Sequence, residues 1–589
     1  MPKTRPVPVR PRRKLPPAWE PPAWLVLAAP PIAAAIVHGA GVFGFFAADD
    51  LEFLARVRGL SLTPWGWSRP LPGRLRWEAF TAIFGVHPLP HLLLAWLLHA
   101  ASALLVARVA LLAGLGRWPA LVAGVLAGAT AVAYTSTHWA SGLGEVMAAA
   151  FALVTLVLHL ECRRRTRPAL AWLAGAGAIA TVASKESAML LPFAVWALDR
   201  LGLGRGEGRG ALREIGVLGA LAAAAVIIAW RVAPPLAGEA YAFGATPLVW
   251  LENLLTYCAW VVRIFDPVRD RSATLQPALA PVGVVVLAAW CLAAWSERRA
   301  SVRPVTAGLV WFLLMLAPVV PLANHTYLYY LVAPFAGVAL AVGVLLVGSV
   351  TWLAPRAAPG ILALALAADV ANETLQVRTR GTLLGAGVLV DRVARESELL
   401  RNAVGDLGAA GVTRGDTIVL VNPYPMQSVD PTTNQARPAG SGFGAHAYIP
   451  FVVAIHDGRA VPLLRPGVTV LGIGDGLPPE WARARAFRFA NDGHLTDLGR
   501  GTVALDSLSF DYLRGERWAD ARATCERLLA LGVDNPEIRW RLGVALAGLG
   551  DIAGVTDQAR AIVQRWPESG RAAQLIELVP SPPPALKPR

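Results

Sequence analysis

What most constrains this chain is a succession of uninterrupted apolar runs, several of which reach or pass the ~20 residues that a bilayer-crossing helix needs. The remaining composition agrees with that reading: 55% of residues are hydrophobic and 16% charged, against about 25% charged in an ordinary soluble domain. A polytopic membrane protein is the expected class. The formal net charge of +14 does not point to nucleic acid. The arginines gather in short loops between apolar runs, as the positive-inside rule requires, rather than along one soluble face. Four cysteines, Cys162, Cys258, Cys291 and Cys525, lie far apart with no CxxC spacing, so neither a disulfide framework nor a zinc site is indicated.

The N-terminal segment, 1–22, is basic and proline-rich. The run after it, 23–46, outlasts the ~7–15 residues of a signal-peptide core and reads as a retained first helix entered from the cytoplasm. Further spans are expected at about 91–113, 118–135, 143–160, 169–183, 187–198, 214–233, 279–295, 305–322, 328–350 and 359–371, about eleven in all. Residues 163–167 (RRRTR) are the strongest cytoplasmic signal among them. Residues 234–277 read as an outer-face loop with a re-entrant or interfacial helix, which keeps Arg298, Arg299 and Arg303 inside. The loop 47–90, where Trp65, Trp67 and Trp77 alternate with Arg69, Arg74 and Arg76, suits the headgroup layer. The Ala-, Arg- and Gly-rich composition is bacterial in style, so the membrane is taken as the inner one and the outer face as periplasmic.

After the membrane domain, 23–371, the composition becomes that of a soluble protein. A small α/β domain is expected over 372–502, with buried strands at 417–422 (TIVLVN), 468–473 (VTVLGI) and 486–489. Residues 503–579 read as two degenerate tetratricopeptide-like repeats and a capping helix. Leu508, Tyr512, Ala521, then Leu542, Gly543 and Pro567, follow the ~34-residue period. Two copies fall short of a free-standing solenoid and need the preceding domain to pack on. The proline-rich tail, 580–589, reads as disordered. The fold class is thus mainly α, a helical membrane bundle followed by these two smaller parts.

In this topology Asp49, Asp50, Arg69, His91, His138, Glu145, Lys185, Glu186, His325 and Tyr327 all fall on or near the outer face, from separate segments. Ionisable residues near membrane depth are costly and mark function. Each also has a plain structural reading. Asp49-Asp50 would cap a helix, Lys185-Glu186 would close a tight turn as an ion pair, and Arg69 would snorkel. His91 and His99, on one face, would pack inside. His138 and His325 have no H-x-x-H or HExxH spacing, so no metal is assigned, and a divalent-metal requirement stays open.

The order of motifs resembles a known family. An Asp-Asp pair (49–50) in the first outer loop is followed by Arg-Pro-Leu (69–71) and Ser-Lys-Glu-Ser with Leu-Pro (184–187, 191–192). His-Thr-Tyr-Leu-Tyr-Tyr (325–330) precedes a late helix, and tetratricopeptide-like helices close the chain. Together these resemble the GT-C glycosyltransferases, in particular the transmembrane-and-tetratricopeptide O-mannosyltransferase-like branch, over about 1–345 and again after 505. His138-Trp139 stands where that family often has His-Pro. The resemblance implies a multi-pass inverting hexosyltransferase using a polyprenyl-phosphate sugar donor and a protein or envelope-glycan acceptor. It implies Asp49 as general base with Asp50 orienting it, and Arg69, Lys185, His325 and Tyr327 at the donor phosphate. His138, Glu145 and Glu186 would support them.

Two other classes compete. A transporter or flippase for a lipid-linked substrate predicts ionisable residues at helix midpoints and an inverted repeat; the charges lie instead at helix ends. A membrane-anchored tetratricopeptide scaffold leaves the outer-face carboxylates and cations unexplained.

Overall fold

The apolar runs fold as helices, because inside a bilayer only a helix satisfies its own backbone polar groups. The computed structural model describes residues 20–579 apart from 62–64, 66–68, 166, 205–209, 233–245, 263–279, 323–325, 381–391, 422–426, 430–435, 439–459, 475–483 and 491. The helices are α1 (Ala23–His38), α2 (Asp49–Val57), α3 (Arg76–Phe84), α4 (Pro88–Leu112), α5 (Arg117–Ala129), α6 (Tyr134–His138), α7 (Leu143–Arg165) and α8 (Pro168–Ser184). There follow α9 (Leu191–Arg200), α10 (Leu212–Val232), α11 (Pro247–Val261), α12 (Ala280–Ser296), α13 (Pro304–Leu316), α14 (Phe335–Leu353), α15 (Ala358–Arg380) and α16 (Arg392–Ala409). The last are α17 (Ala460–Leu464), α18 (Thr502–Arg514), α19 (Trp518–Ala530), α20 (Pro536–Gly548), α21 (Ile552–Arg565) and α22 (Arg571–Glu577).

The chain forms two compact units. One holds Met1–Gly44 with Thr63–Gly381; the other holds Phe45–Leu62 with Thr382–Arg589. In the first, six helical segments among the described residues are long and apolar enough to cross a membrane: Ala23–Phe43, Pro88–Leu112, Arg117–His138, Ala140–Arg165, Phe335–Leu353 and Ala358–Thr379. This is a multi-pass membrane protein. Three of the expected spans fold as shorter apolar helices, Pro168–Ser184, Ala280–Ser296 and Pro304–Leu316, so the expected count of about eleven is met only in part. The last span runs well past residue 371, where the membrane domain was expected to stop. The loop expected to lie among headgroups is partly core: Trp77 is fully buried and Arg76 almost so. Arg76 donates from Nη1 to Ala140 O at 2.7 Å and stacks its guanidinium on Trp77, while Arg74 stays exposed beside Glu78.

Helix packing in this unit rests on close approach of small residues. A Cβ at Gly337 would sit 2.3 Å from Gly308 O, and one at Gly308 equally close to Gly337 O, where α13 crosses α14. Gly337→Val is therefore expected to lower the thermal stability of detergent-purified protein, by roughly 1–3 kcal/mol for an overpacked contact. A melting curve matching wild type would show that the crossing is looser than this.

The second unit carries a four-stranded sheet in the order β4 (Thr469–Gly474), β1 (Thr417–Val421), β5 (Arg485–Phe489), β6 (Leu495–Arg500). β1 runs parallel to β4 and β5, and β6 is antiparallel to β5. A separate antiparallel pair joins β2 (Gln427–Val429) and β3 (Ala436–Pro438). β1 is central and reads as a continuous apolar run because it is buried on both faces. One face packs on α16 through Leu399, Ala403, Leu407, Ile418 and Leu420. The other packs on α18, α19 and α20 through Val419, Val421, Leu508, Tyr512, Ala521 and Ala545. Arg488 reaches from the sheet to the buried Asp511 of α18 at 2.7 Å. Each helix from α18 to α22 packs on the next.

Candidate active site

Within the membrane unit, the end of α8, the start of α7 and the segment at Arg69 bring together four charges. α8 stops at Ser184, and Lys185 is extended, at φ −156° and ψ 127°. Successive side chains on extended backbone project to opposite sides, so Lys185 and Glu186 do not pair with each other as expected. Lys185 Nζ instead lies 2.9 Å from Glu145 Oε1 in the first turn of α7, with both side chains buried. Glu186 takes the Arg69 guanidinium in a two-point pair, with Nε donating to Oε2 at 2.7 Å and Nη2 to Oε1. Gly144 lets these ends meet, since a Cβ there would stand 3.3 Å from Ser184 O. The bland expectation of an ion pair in a tight turn gives way to two pairs linking three segments of the unit.

Burial alone would push the Glu186 carboxyl up, but the Arg69 guanidinium outweighs it and, with Lys185, holds it down at about 2. A carboxyl depressed below its ordinary 4.5 contributes stability that is complete above that value and lost as pH falls toward 2. The melting temperature of wild type should therefore fall more steeply below pH 4.5 than that of Glu186→Gln. Parallel curves would remove the Arg69–Glu186 pair from the acid sensitivity.

Aromatic residues complete this charged group. Lys185 Nζ lies 5.2 Å from the Tyr330 ring centroid and 5.5 Å from that of Tyr329, a favourable position for a cation in a low-dielectric setting. Tyr327, the tyrosine expected at the phosphate, stacks on Tyr329, 5.0 Å away. His325 lies outside the described residues. An unforeseen residue, Asn253 of α11, braces the approach to this tyrosine run. Its Nδ2 donates to Val320 O at 2.9 Å and to Leu322 O at 2.8 Å, and its Oδ1 accepts from Thr326 Oγ1 at 3.0 Å. A lone amide in the apolar run PLVWLENLLTYCAWV was the signal for it. Beside these groups opens a cleft of about 270 Å³, lined by Glu186, Met189, Leu190, Pro318, Leu322 and Tyr330 among others.

The remaining expected residues divide. The His138 ring stacks on Tyr134 at 4.3 Å and meets His38 edge-on at 5.8 Å, on a short helix that packs against the turn carrying Tyr329 and Tyr330. His38 and His99 are buried and serve a break in the backbone, where α5 ends at Ala129 and a 3₁₀ turn begins. His99 Nε2 donates to Gly128 O at 2.9 Å, and His38 Nε2 donates at 3.0 Å to Thr130 O, which also accepts Ala133 N–H at 3.3 Å. Glu373 of α15 accepts Ala131 N–H at 2.5 Å on the other side of the break. His91 packs under Trp77 and Phe80. Among the described residues no group of three His, Cys, Asp or Glu side chains is arranged to hold a metal ion.

Asp49 and Asp50 belong to the second unit. They open α2, a helix of nine residues, and their environments differ. Asp49 is exposed. Asp50 is fully buried, and its Oδ2 accepts Ala47 N–H at 3.0 Å, closing the turn that precedes the helix. Ala48, at the first central position of that turn, has φ 46° and ψ −122°, the geometry of a type II′ turn that normally calls for glycine. The acidic pair thus splits into one accessible carboxylate and one internal anchor, on strained backbone.

No protein-family model matches this sequence, and no curated protein matches it. Among solved structures, the chain is similar to the oligosaccharyltransferase of Archaeoglobus fulgidus in its apo form, with 13% identity and a TM-score of 0.37. It is similar also to the archaeal oligosaccharyltransferase AglB of that organism in complex with an inhibitory peptide and a dolichol-phosphate, with 13% identity and a TM-score of 0.38. Each match covers 60% of this chain and 55% of the archaeal one, so the chain spans about half the length of those proteins. ArnT from Cupriavidus metallidurans bound to undecaprenyl phosphate matches with 13% identity and a TM-score of 0.37, over 68% of this chain and 82% of that one. At these scores the likeness is loose.

Proposed function

We propose that this chain is an integral membrane glycosyltransferase that moves a hexose from a polyprenyl-phosphate donor to an acceptor hydroxyl on the outer face, with inversion. The observation that carries the reading is the buried charged group of Lys185, Arg69, Glu145 and Glu186 opening beside an apolar cleft. Glu186 is the charged residue in the cleft lining, and Arg69 is bonded to it, so a fixed cation stands one side chain away from an apolar groove that suits the tail of an amphiphile with an anionic head. Two carboxylates balance the two cations, so recognition rests on the placement of N–H donors rather than on net charge. In a low-dielectric site such donors stabilise the charge that grows on a departing phosphate oxygen.

The step has simple bookkeeping of atoms. The acceptor oxygen attacks the anomeric carbon and its proton passes to Asp49. The bond from that carbon to the phosphate oxygen breaks, and polyprenyl phosphate leaves with the electron pair. Exposure of Asp49 suits it to meet an acceptor, and burial of Asp50 suits it to hold the turn. The sequence resemblance to the GT-C glycosyltransferases supports the same roles. The orientation, with the N-terminus cytoplasmic and 382–589 periplasmic, belongs to this proposal.

The test is transfer from radiolabelled polyprenyl-phosphate hexoses by purified protein in liposomes offered a periplasmic extract. Turnover of one donor is expected; no turnover of any donor by folded protein overturns the reading. One observation favours a second reading. Asp369, Asn372, Glu373 and Gln376 lie at helical spacing on one span, α15. Polar residues inside a span mark transport paths, so movement of the labelled lipid across the liposome without acceptor would favour a flippase.

A further inference from the structure

The acidic loop is bounded in sequence by membrane-unit residues on both sides, yet it folds with a part of the chain more than three hundred residues away. Phe45 N–H donates to Ser397 Oγ of α16 at 2.9 Å, across 352 positions. At the other end, Arg58 Nη1 donates to Pro462 O at 3.3 Å, just within α17, and α17 packs on α2. Between these two ties Phe46 is fully buried ahead of the helix, and α2 buries one face, with Leu51 and Leu54 at 2% exposure or less and Ala55 at 3%. A helix of nine residues is below the ~12–15 residues that hold a helix in water unaided. Burial of Leu51 and Leu54 is what keeps it formed. The strained turn at Ala48 has to be held by its surroundings in the same way, because such a conformation persists only where neighbouring structure determines it.

We infer that the C-terminal unit is the positioning element of the acidic loop: Ser397, through Phe45 N–H, and the 460–464 helix, through Arg58, fix the turn that presents Asp49. The inference rests on the glycosyltransferase reading and deepens it, making the soluble unit part of the active machinery rather than an appended recognition domain. Ser397 and Arg58 are positioning residues; neither is assigned to substrate. The donor groups Arg69 and Lys185 belong to the other unit, so loosening the loop should change turnover and leave donor affinity alone.

The experiment uses full-length protein in lipid nanodiscs, comparing wild type, Ser397→Ala, Arg58→Met, the double variant and the conservative Ser397→Thr. Hydrogen exchange of peptides covering 49–57 is read beside kcat and donor KM. In the double variant, exchange in α2 should rise by about tenfold or more, with α7 and α8 unchanged. The same variant should lose about 10- to 100-fold in kcat, the scale of a small misplacement of a reacting group, at unchanged donor KM. Ser397→Thr, which keeps the hydroxyl, should stay near wild type. Faster exchange with wild-type kcat overturns the inference, and so does exchange that does not rise. If wild type transfers no sugar, the glycosyltransferase reading fails, and the inference fails with it. Exchange in wild type then still decides the docking, which unprotected amides at 51–57 would refute.

Discussion

Asp49→Asn is expected to lower sugar transfer by ~10²–10⁴-fold, the usual worth of a positioned general base, while donor binding stays at the wild-type level. The substitution keeps the size and the helix-opening position of the side chain and removes only its capacity to take a proton. The split between the two carboxylates sharpens the test. Asp50→Asn alters a buried acceptor that closes the turn on Ala47 N–H, so it should disturb folding of the loop as well as rate. Asp49→Asn should leave hydrogen exchange of α2 unchanged. Transfer at the wild-type rate in Asp49→Asn would remove this residue from the chemistry and move the assignment of a base elsewhere.

Lys185 calls for a pair of variants, because one substitution conflates two losses. Lys185→Met leaves Glu145 buried with its cation gone, and breaking a buried pair in this way typically costs about 3–5 kcal/mol. Folded yield and melting temperature should fall sharply. Lys185→Met with Glu145→Met removes both charges and should restore much of that stability. Transfer should nevertheless remain depressed by about 10²–10³-fold, as for loss of one donor to a developing oxyanion. A double variant that folds and turns over like wild type would reduce the pair to architecture, and with it the main support for a phosphate site at this place.

The membrane class was legible from the apolar runs because a bilayer leaves the chain so few options. The pairing of the charges was not. Lys185 and Glu186 are neighbours in sequence, and only the extended backbone at 185 sends them to different partners, Glu145 and Arg69. Tyr329 and Tyr330 were within the motif that drew attention to Tyr327, but which ring faces a cation depends on a 3₁₀ turn that no short motif announces. The ownership of α2 was hidden for a related reason. Residues 45–46 read as the end of a span and 47–62 as the start of a polar loop, and the hydroxyl and carbonyl that hold this segment lie 352 and 404 positions onward. Asn253, beside Glu252, and Glu373, one of several polar residues on α15, gave a fainter signal, whose meaning comes only from the backbone each meets.

The interruption after α5 also bears on how the protein is made. The carbonyls of Gly128 and Thr130 and the N–H of Ala131 meet His99, His38 and Glu373, on three other helices, and the last lies 242 residues downstream of the group it caps. A ribosome-bound chain that has inserted only its first few spans therefore carries a backbone break at membrane depth with one cap still unsynthesised. Such a break needs a temporary partner, from water, the insertion machinery or another helix. The early spans are thus not a finished subassembly. The bond to Ala131 N–H closes only once α15 is in place, because Glu373 supplies it.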